Sequence, residues 1–337
     1  MSTSDARGRL PNMRDVAKAA GVSHQTVSRV INDHPSLRDE TKRRVLEVMA
    51  ELNYRPNRAA RALVTSKSHT IGVLASHRSE YGPATMIEGV ENAAKDRGYF
   101  ASTVNLSGSD DSAIRAGLDH LMNQAVDGIV LVAPQVRVFD AMSLLQLDVP
   151  FVSVHQRDVA DRHVIAVDQV AGARLATRHL IAQGHRRIAH LAGPQEWIEA
   201  EARTRGYLDE MAQNGLVAEN PIIGDWSSDF GYRSGSELFA EGSVTAVVSG
   251  NDQMALGLIH ALRERGLDVP GDISIVGFDD IPEARHFWPP LTTVRQDFTE
   301  LGRRAVSRLL DSVGELITEP IEPRLIIRAS TAPLAHN

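Results

Sequence analysis

The sequence predicts an α/β protein in two parts: an all-α module in roughly the first 55 residues, then a larger body of parallel sheets covered by helices. Three observations predict it. Residues 13–53 carry apolar side chains at helical spacing, interrupted by Gly21-Val22-Ser23. From Thr70 onward, short apolar runs alternate with longer amphipathic stretches, the rhythm of βαβ units. Charge divides at the same place: residues 1–66 hold 12 Lys/Arg against 7 Asp/Glu, and the remainder 24 against 36, within a net charge of −7. A basic module on an acidic body follows.

The α module is read element by element. Met13 to Ala20 is a short helix with Val16, Ala17 and Ala20 inward. Gly21 permits the positive φ of a tight turn, and Ser23 suits an N-cap. A second helix runs from His24 to Asn32 with Val27, Val30 and Ile31 on one face. His24, Gln25, Ser28 and Arg29 fall mostly on the other. Asp39 is placed to cap a third helix, Thr41 to Asn53, with Val45, Leu46, Met49 and Leu52 inward. Two helices joined by a glycine turn, with a third in support, make a helix-turn-helix. An arginine fork matches guanine O6 and N7, and a glutamine pairs with adenine N6 and N7. The same spacing also describes an ordinary three-helix bundle with a solvated polar face, and His24 as a solvated surface histidine.

Asp15-Val16-Ala17, Ala20-Gly21-Val22-Ser23, the run Gln25 to Asn32 (QTVSRVIN) and Leu52 to Asn57 (LNYRPN) closely resemble the headpiece of the LacI/GalR family of bacterial repressors. That resemblance implies His24, Gln25 and Arg29 as base readers, with Asn12, Ser23, Ser28, Asn32 and Thr41 as backbone-positioning contacts. Pro56 suits the first turn of a helix, and Asn57 to Val64 is helix-prone but too short to be stable alone. The segment reads equally as a flexible linker, which Thr65-Ser66-Lys67-Ser68 continues. By the resemblance, Asn57, Arg58, Ala60 and Leu63 contact DNA, Leu63 wedging a minor-groove base step. Arg43, Arg58 and Arg61 add phosphate contacts.

In the body, strands are expected at 70–75, 101–106, 128–133, 150–155, 188–193, 246–251 and 273–278. Helices are expected at 84–98, 170–184, 202–214, 252–266 and 298–311. The pattern runs through two similar halves, read as two Rossmann-like subdomains of the periplasmic-binding-protein type facing a cleft. The resemblance extends over the body and implies three crossings between them. The expected organisation is a headpiece over 1–55, a hinge helix and linker over 56–68, and an effector-binding and dimerisation domain over 69–337. Its N-subdomain covers about 69–167 and 297–325, and its C-subdomain about 168–296 and 326–337.

Polar side chains at or just past the strand ends point at the crevice of such a sheet. They are His155, Arg203, Trp226, Asn251, Asp279 and Gln296. A carboxylate, amides, a guanidinium and aromatic faces suit a sugar. Asn251 and Asp279 also read as helix caps, Arg203 as a surface ion-pair partner, and Trp226 as core. The runs 191–194 (LAGP), 224–227 (GDWS), 251–257 (NDQMALG) and 289–293 (PPLTT) carry the family resemblance here. It adds Phe298 to the effector site and places Gly82, Pro83 and Met86 at its entrance. Four departures from the family pattern stand out. His155 replaces an aspartate set against the sugar, Glu80 an apolar wall residue, Val132 an asparagine, and Glu199 a serine. The expected effector is a β-galactoside-like or related glycoside, His155 and Glu80 adding polar groups for another hydroxyl pattern or a second sugar unit.

No Gly-x-Gly-x-x-Gly after a strand, P-loop, Gly-x-Ser-x-Gly elbow or His-Glu-x-x-His is present, so an enzyme is not expected. Nor is a cofactor or metal: cysteine is absent, and His179, His185 and His190 lack accompanying carboxylates at ligand spacing. No apolar run reaches ~18 residues, and Met1 to Leu10 lacks the apolar stretch of a secretion signal, so a cytoplasmic location without membrane contact is expected. The expected partners are double-stranded, pseudo-palindromic operator DNA, a small-molecule effector and a second copy of the chain. A homodimer follows because no leucine heptads accompany the C-terminal Ser330 to Asn337.

Overall fold

The computed structural model describes residues 11–31, 37–54, 67–77, 79–144, 147–155, 164–238, 244–311 and 319–334. The chain separates into two compact units, residues 1–68 and 69–337.

The first unit contains α1 (Met13–Ala20), α2 (His24–Ile31) and α3 (Asp39–Glu51). Asn12 starts α1 with a capping box. Its Oδ1 accepts from the Arg14 and Asp15 amides at 2.9 and 3.1 Å, while the Asn12 amide donates to the Asp15 carboxylate at 2.9 Å. Gly21 ends α1 at φ 63°, and Ser23 Oγ accepts from the Thr26 amide at 3.1 Å to start α2. Val16, Ala17, Ala20, Val27, Val30 and Val45 form the buried core.

Two readings are corrected here. Asp39 does not cap α3; the N-cap is Arg38, and Asp39 and Glu40 occupy the first turn, where carboxylates favour the helix dipole. Leu46 is 47% exposed; Val48 packs on the core instead, one turn from Val45. Ile31 is half-buried and packs on this core. Asn32, Asn57, Arg58, Ala60, Arg61 and Leu63 lie outside the described residues, and so does nearly all of the hinge.

The second unit holds two sheets. The first is wholly parallel, in the order β2-β1-β3-β4 (Phe100–Asn105, Thr70–Ala75, Gly128–Val132, Phe151–Ser153). The second runs β10-β9-β8-β7-β5-β6 (Arg324–Ile326, Thr292–Arg295, Ser274–Asp279, Ala246–Ser249, Ile188–Ala192, Ile222–Ile223), parallel except for the β9–β10 pair. The covering helices are α4 (Tyr81–Asp96), α5 (Asp111–Asn123), α6 (Val136–Leu144), α7 (Gln169–Ala182), α8 (Ile198–Gln213), α9 (Ser228–Leu238), α10 (Asp252–Glu264) and α11 (Phe298–Leu310). Nearly every residue of β1, β3, β5, β7 and β8 is buried, as parallel strands covered on both faces require.

α11 follows the second sheet in sequence but packs on the first. Phe298, Leu301, Ala305 and Val306 share a core with Ile71, Val73, Met86 and Val90. β10 then returns to the second sheet at Arg324, so the expected subdomain boundary at 325/326 falls inside a strand and the crossing lies before it. α4 begins at Tyr81, three residues earlier than expected, because Pro83 needs no amide partner in a first turn.

The α4–α11 crossing depends on Gly89 and Gly302. A Cβ on Gly302 would lie 2.2 Å from the carbonyl carbon of Gly89. Alanine is the better helix former by about 1 kcal/mol, yet Gly302→Ala is expected to destabilise by about 1–3 kcal/mol, because backbone rather than a mobile side chain must yield. Thermal unfolding checks the sign: an unchanged or higher melting temperature would contradict the close crossing.

Candidate functional site

In the first unit, α2 presents two faces. Val27 and Val30 are buried on one; His24, Gln25 and Arg29 are exposed on the other, with Ser28 half-buried beside them. Ser23 is exposed, and Asn12 and Thr41 are half-buried. The exposed face carries an amide, a guanidinium and an imidazole and no carboxylate. Asn12 and Ser23 spend side-chain acceptor capacity on helix starts.

In the second unit, a cavity lies between the subdomains. Glu80, Gly82, Pro83, Met86, His155, Arg203, Trp226, Asn251, Asp279 and Gln296 all line it. Phe298 does not, correcting its assignment. Its ring is buried in the first subdomain's core, edge-on to Tyr81 at a centroid distance of 6.3 Å. Phe298 borders a wider, open depression walled by paired charges such as Glu300 with Arg304. The lining also includes Tyr81, Pro134, Trp197, Glu199 and Gln253.

A buried polar network forms one wall. Arg203 Nε donates to Gln169 Oε1 at 2.9 Å, Nη1 to the Gly250 carbonyl, and Nη2 to Asp279 Oδ1 at 3.4 Å. Gln296 Nε2 donates to the same Asp279 oxygen at 2.7 Å, and Gln169 Nε2 to Gln296 Oε1 at 2.6 Å. The guanidinium carbon sits 3.9 Å from the Phe278 ring centroid and 5.5 Å from that of Trp226. Burial pushes the Asp279 carboxyl up to about 6, although Arg203 and the Gln296 hydrogen bond pull it down. Burial likewise lowers Arg203, which Asp279 and Glu199 oppose.

Asp279 has φ 104° and Trp226 φ 68°, both costly for residues with a side chain. The strain at Asp279 is held by its surroundings. Asp252, buried at the start of α10, accepts from the Ile281 amide at 2.9 Å and from Thr293 Oγ1 at 2.6 Å. Asp280 takes Arg295 and Arg328, each at 2.6 Å. Asn251 caps α10, one of its two readings: Oδ1 accepts from the Met254 amide at 2.9 Å, while Nδ2 donates to the Trp226 carbonyl at 2.9 Å. Trp226 lies against Gly193, where any Cβ would fall 2.1 Å from the ring. Trp197 meets it edge-on, centroids 5.5 Å apart.

From the first subdomain, His155 Nδ1 donates to Glu199 Oε1, which stands one turn of α8 before Arg203, both side chains buried. Burial raises the Glu199 carboxyl, but His155 and then Arg203 outweigh it and hold it below its ordinary value. Four buried polar atoms of the lining have no protein partner: His155 Nε2, Glu199 Oε2, Trp226 Nε1 and Gln253 Oε1. Such groups are costly in an interior unless something bonds them.

The two subdomains also join edge to edge. Gln135 and Trp197 form an antiparallel bridge, with Val136 N to Glu196 O at 3.0 Å and Ile198 N to Pro134 O at 2.9 Å. Ser76 Oγ donates to Gln135 Oε1 at 2.7 Å. Reading strand ends did not find Trp197, because it lies beyond the loop after β5 and reaches the cavity only through this seam. Among the described residues, no group of three or more His, Cys, Asp or Glu is placed to hold a metal ion, and no helix is long and apolar enough to cross a membrane.

Comparison with known proteins places both units. Residues 12–57 match the family described as bacterial regulatory proteins, lacI family, and residues 177–331 match the periplasmic binding protein-like domain. The lactose operon repressor of Escherichia coli K12 is 37% identical over 306 residues, 90% of this chain and 85% of that protein. The transcriptional repressor PurR of Glaesserella parasuis is 34% identical over 94% of this chain and 95% of its own length. A crystal structure of the lac repressor dimer bound to operator and the anti-inducer ONPF superposes with a TM-score of 0.83 at 35% identity, covering 96% of this chain and 100% of that one. These relatives are repressors rather than enzymes.

A pH test follows from Asp279. Its carboxyl titrates near 6 in the folded chain and from 3.8 as the ordinary value. Between those values the folded state holds the extra proton, so this group's contribution to stability falls as pH rises. Asp279→Asn has no such titration. Its stability relative to the parent is expected to rise from pH 4 to pH 6, by on the order of 3 kcal/mol at most, and then level off. Denaturant melts at several pH values read this difference; a flat one would contradict the burial-driven shift.

Proposed function

The chain belongs to the lacI family of DNA-binding bacterial repressors, and on that premise we propose that it is a homodimeric, sugar-responsive operator-binding repressor. The observation that carries the sugar reading is the group of unpartnered buried atoms around one cavity, beside the faces of Trp197 and Trp226. Hydroxyls both donate and accept, and indole rings cover the apolar face of a pyranose. The name of the lactose operon relative favours a β-galactoside or related glycoside. The residues proposed to bind it are those of the cavity wall, with Arg203, Asp279 and Gln296 as its rigid hydrogen-bonding group.

His24, Gln25 and Arg29 read base edges in the major groove, and Asn12, Ser23, Ser28, Asn32 and Thr41 position the backbone. Asn57, Arg58, Ala60 and Leu63 act from the hinge at the minor groove. Two copies bind one pseudo-palindromic operator, as in the dimeric relative on its operator. Ligand favours one relative orientation of the subdomains, which alters the hinge spacing and strains the DNA-bound dimer. The coupling is reciprocal, so operator weakens sugar binding by the same factor.

A thermal-shift screen against mono- and disaccharides tests the ligand class, because a ligand of the folded state raises the melting temperature. Adding the hit to an operator-binding titration gives the mode. Operator release supports induction, whereas tighter binding would make the protein a corepressor type. Absence of any operator preference would leave a sugar-binding protein without a DNA role. Arg203→Ala is expected to lose the ligand response and keep operator binding; equal loss of both would argue against separate sites. Arg29→Ala is expected to cost about 1–3 kcal/mol of discrimination per contacted base. Unchanged discrimination between operator and scrambled duplex would contradict its role.

A further inference from the structure

We propose that the His155–Glu199 pair makes the cavity selective for an uncharged glycoside over phosphorylated or carboxylated sugars, with Glu199 as the positioning residue for the imidazole. This rests on the sugar reading above and adds the charge class of the ligand.

His155 is 1% exposed and Glu199 6%. A carboxylate only accepts, so the hydrogen of the ring resides on Nδ1, facing Glu199. Nε2 is buried without a partner, and Glu199 Oε2 is an unpartnered acceptor. A hydroxyl brings a hydrogen to Oε2 and can bond Nε2 as donor or acceptor. A phosphate or carboxylate oxygen brings only further lone pairs.

Charge acts in the same direction. The lining carries the carboxyls of Glu80, Glu199 and Asp279, and Arg203 is the one Lys or Arg among the described residues that line it. Arg203 is already engaged with Gln169, Gly250 and Asp279, and lies with its face against Phe278. Three of its five N–H donors are thus committed, and its charge is already offset by Asp279. A buried anion without its own cation is strongly disfavoured. The glutamate at 199 therefore supplies both the imidazole's orientation and part of the field that excludes negative ligands.

Calorimetric titration of the full chain tests this with paired probes: methyl β-D-galactopyranoside against galacturonate, methyl β-D-glucopyranoside against glucose 6-phosphate, and lactose against lactobionate. For each pair that binds, the neutral member is expected to bind about tenfold or more tightly. Glu199→Gln, which removes the charge and keeps the shape, is expected to reduce that ratio to about threefold or less. Glu201→Gln, an exposed neighbour outside the lining, retains the parent ratio. The neutral-to-anion ratio is the decisive readout, since a purely structural role of Glu199 would weaken both members alike. Equal or tighter binding of an anionic member by the parent chain overturns the proposal while leaving the sugar reading intact. An unchanged ratio in Glu199→Gln overturns the role given to Glu199. Absence of heat from all six probes overturns the sugar reading, and this proposal with it.

Discussion

The ion pair of Arg203 with Asp279 is the constraint around which the body is arranged. A guanidinium taken out of water is tolerable only where charge and hydrogen bonds replace what solvent gave. Here Asp279, Gln169 and the Gly250 carbonyl do so, and Gln296 ties Asp279 back to Gln169. Arg203 stands on α8, and these partners come from α7, the β7–α10 turn, the end of β8 and the end of β9. One buried cation thus registers most of the second sheet's ligand-facing edge. The left-handed backbone at Asp279 is the local cost, and Asp252, Arg295 and Arg328 hold the turn that bears it.

The headpiece solves a smaller version of the same problem. Three short helices bury few side chains, so their ends matter: Asn12, Gly21 and Ser23 each satisfy or terminate a helix where the core alone would leave it frayed. Those caps keep Val27 and Val30 inward. The opposite side of α2 is then free to be as polar as its task demands.

Much of this was legible because short-range chemistry and periodicity carry it. The glycine turn before Ser23 and the apolar runs of β1, β3, β5 and β7 announce themselves, and the strand ends point to His155, Arg203, Trp226, Asn251, Asp279 and Gln296. What was not legible depends on distance in space. Trp197 reaches the cavity through contact with the other subdomain, and Gln169 through a guanidinium 34 positions away. Phe298 entered the effector site through the family resemblance alone; the Gly89–Gly302 crossing draws α11 onto the first subdomain, and the ring is buried in that core. Asp39 was misread because α3 starts two residues earlier than expected, and Leu46 because it stands about 100° round the helix from Val45, off the stripe of Val45, Val48, Met49 and Leu52 that meets the core.

The seam between residues 134–136 and 196–198 closes over the cavity by main-chain bonds and by the Gln135–Trp197 bridge. Because these are peptide groups, the seam survives nearly any side-chain drift at those positions. The join beside the cavity is therefore written into the path of the chain, and its identity does not depend on which side chains stand at those positions.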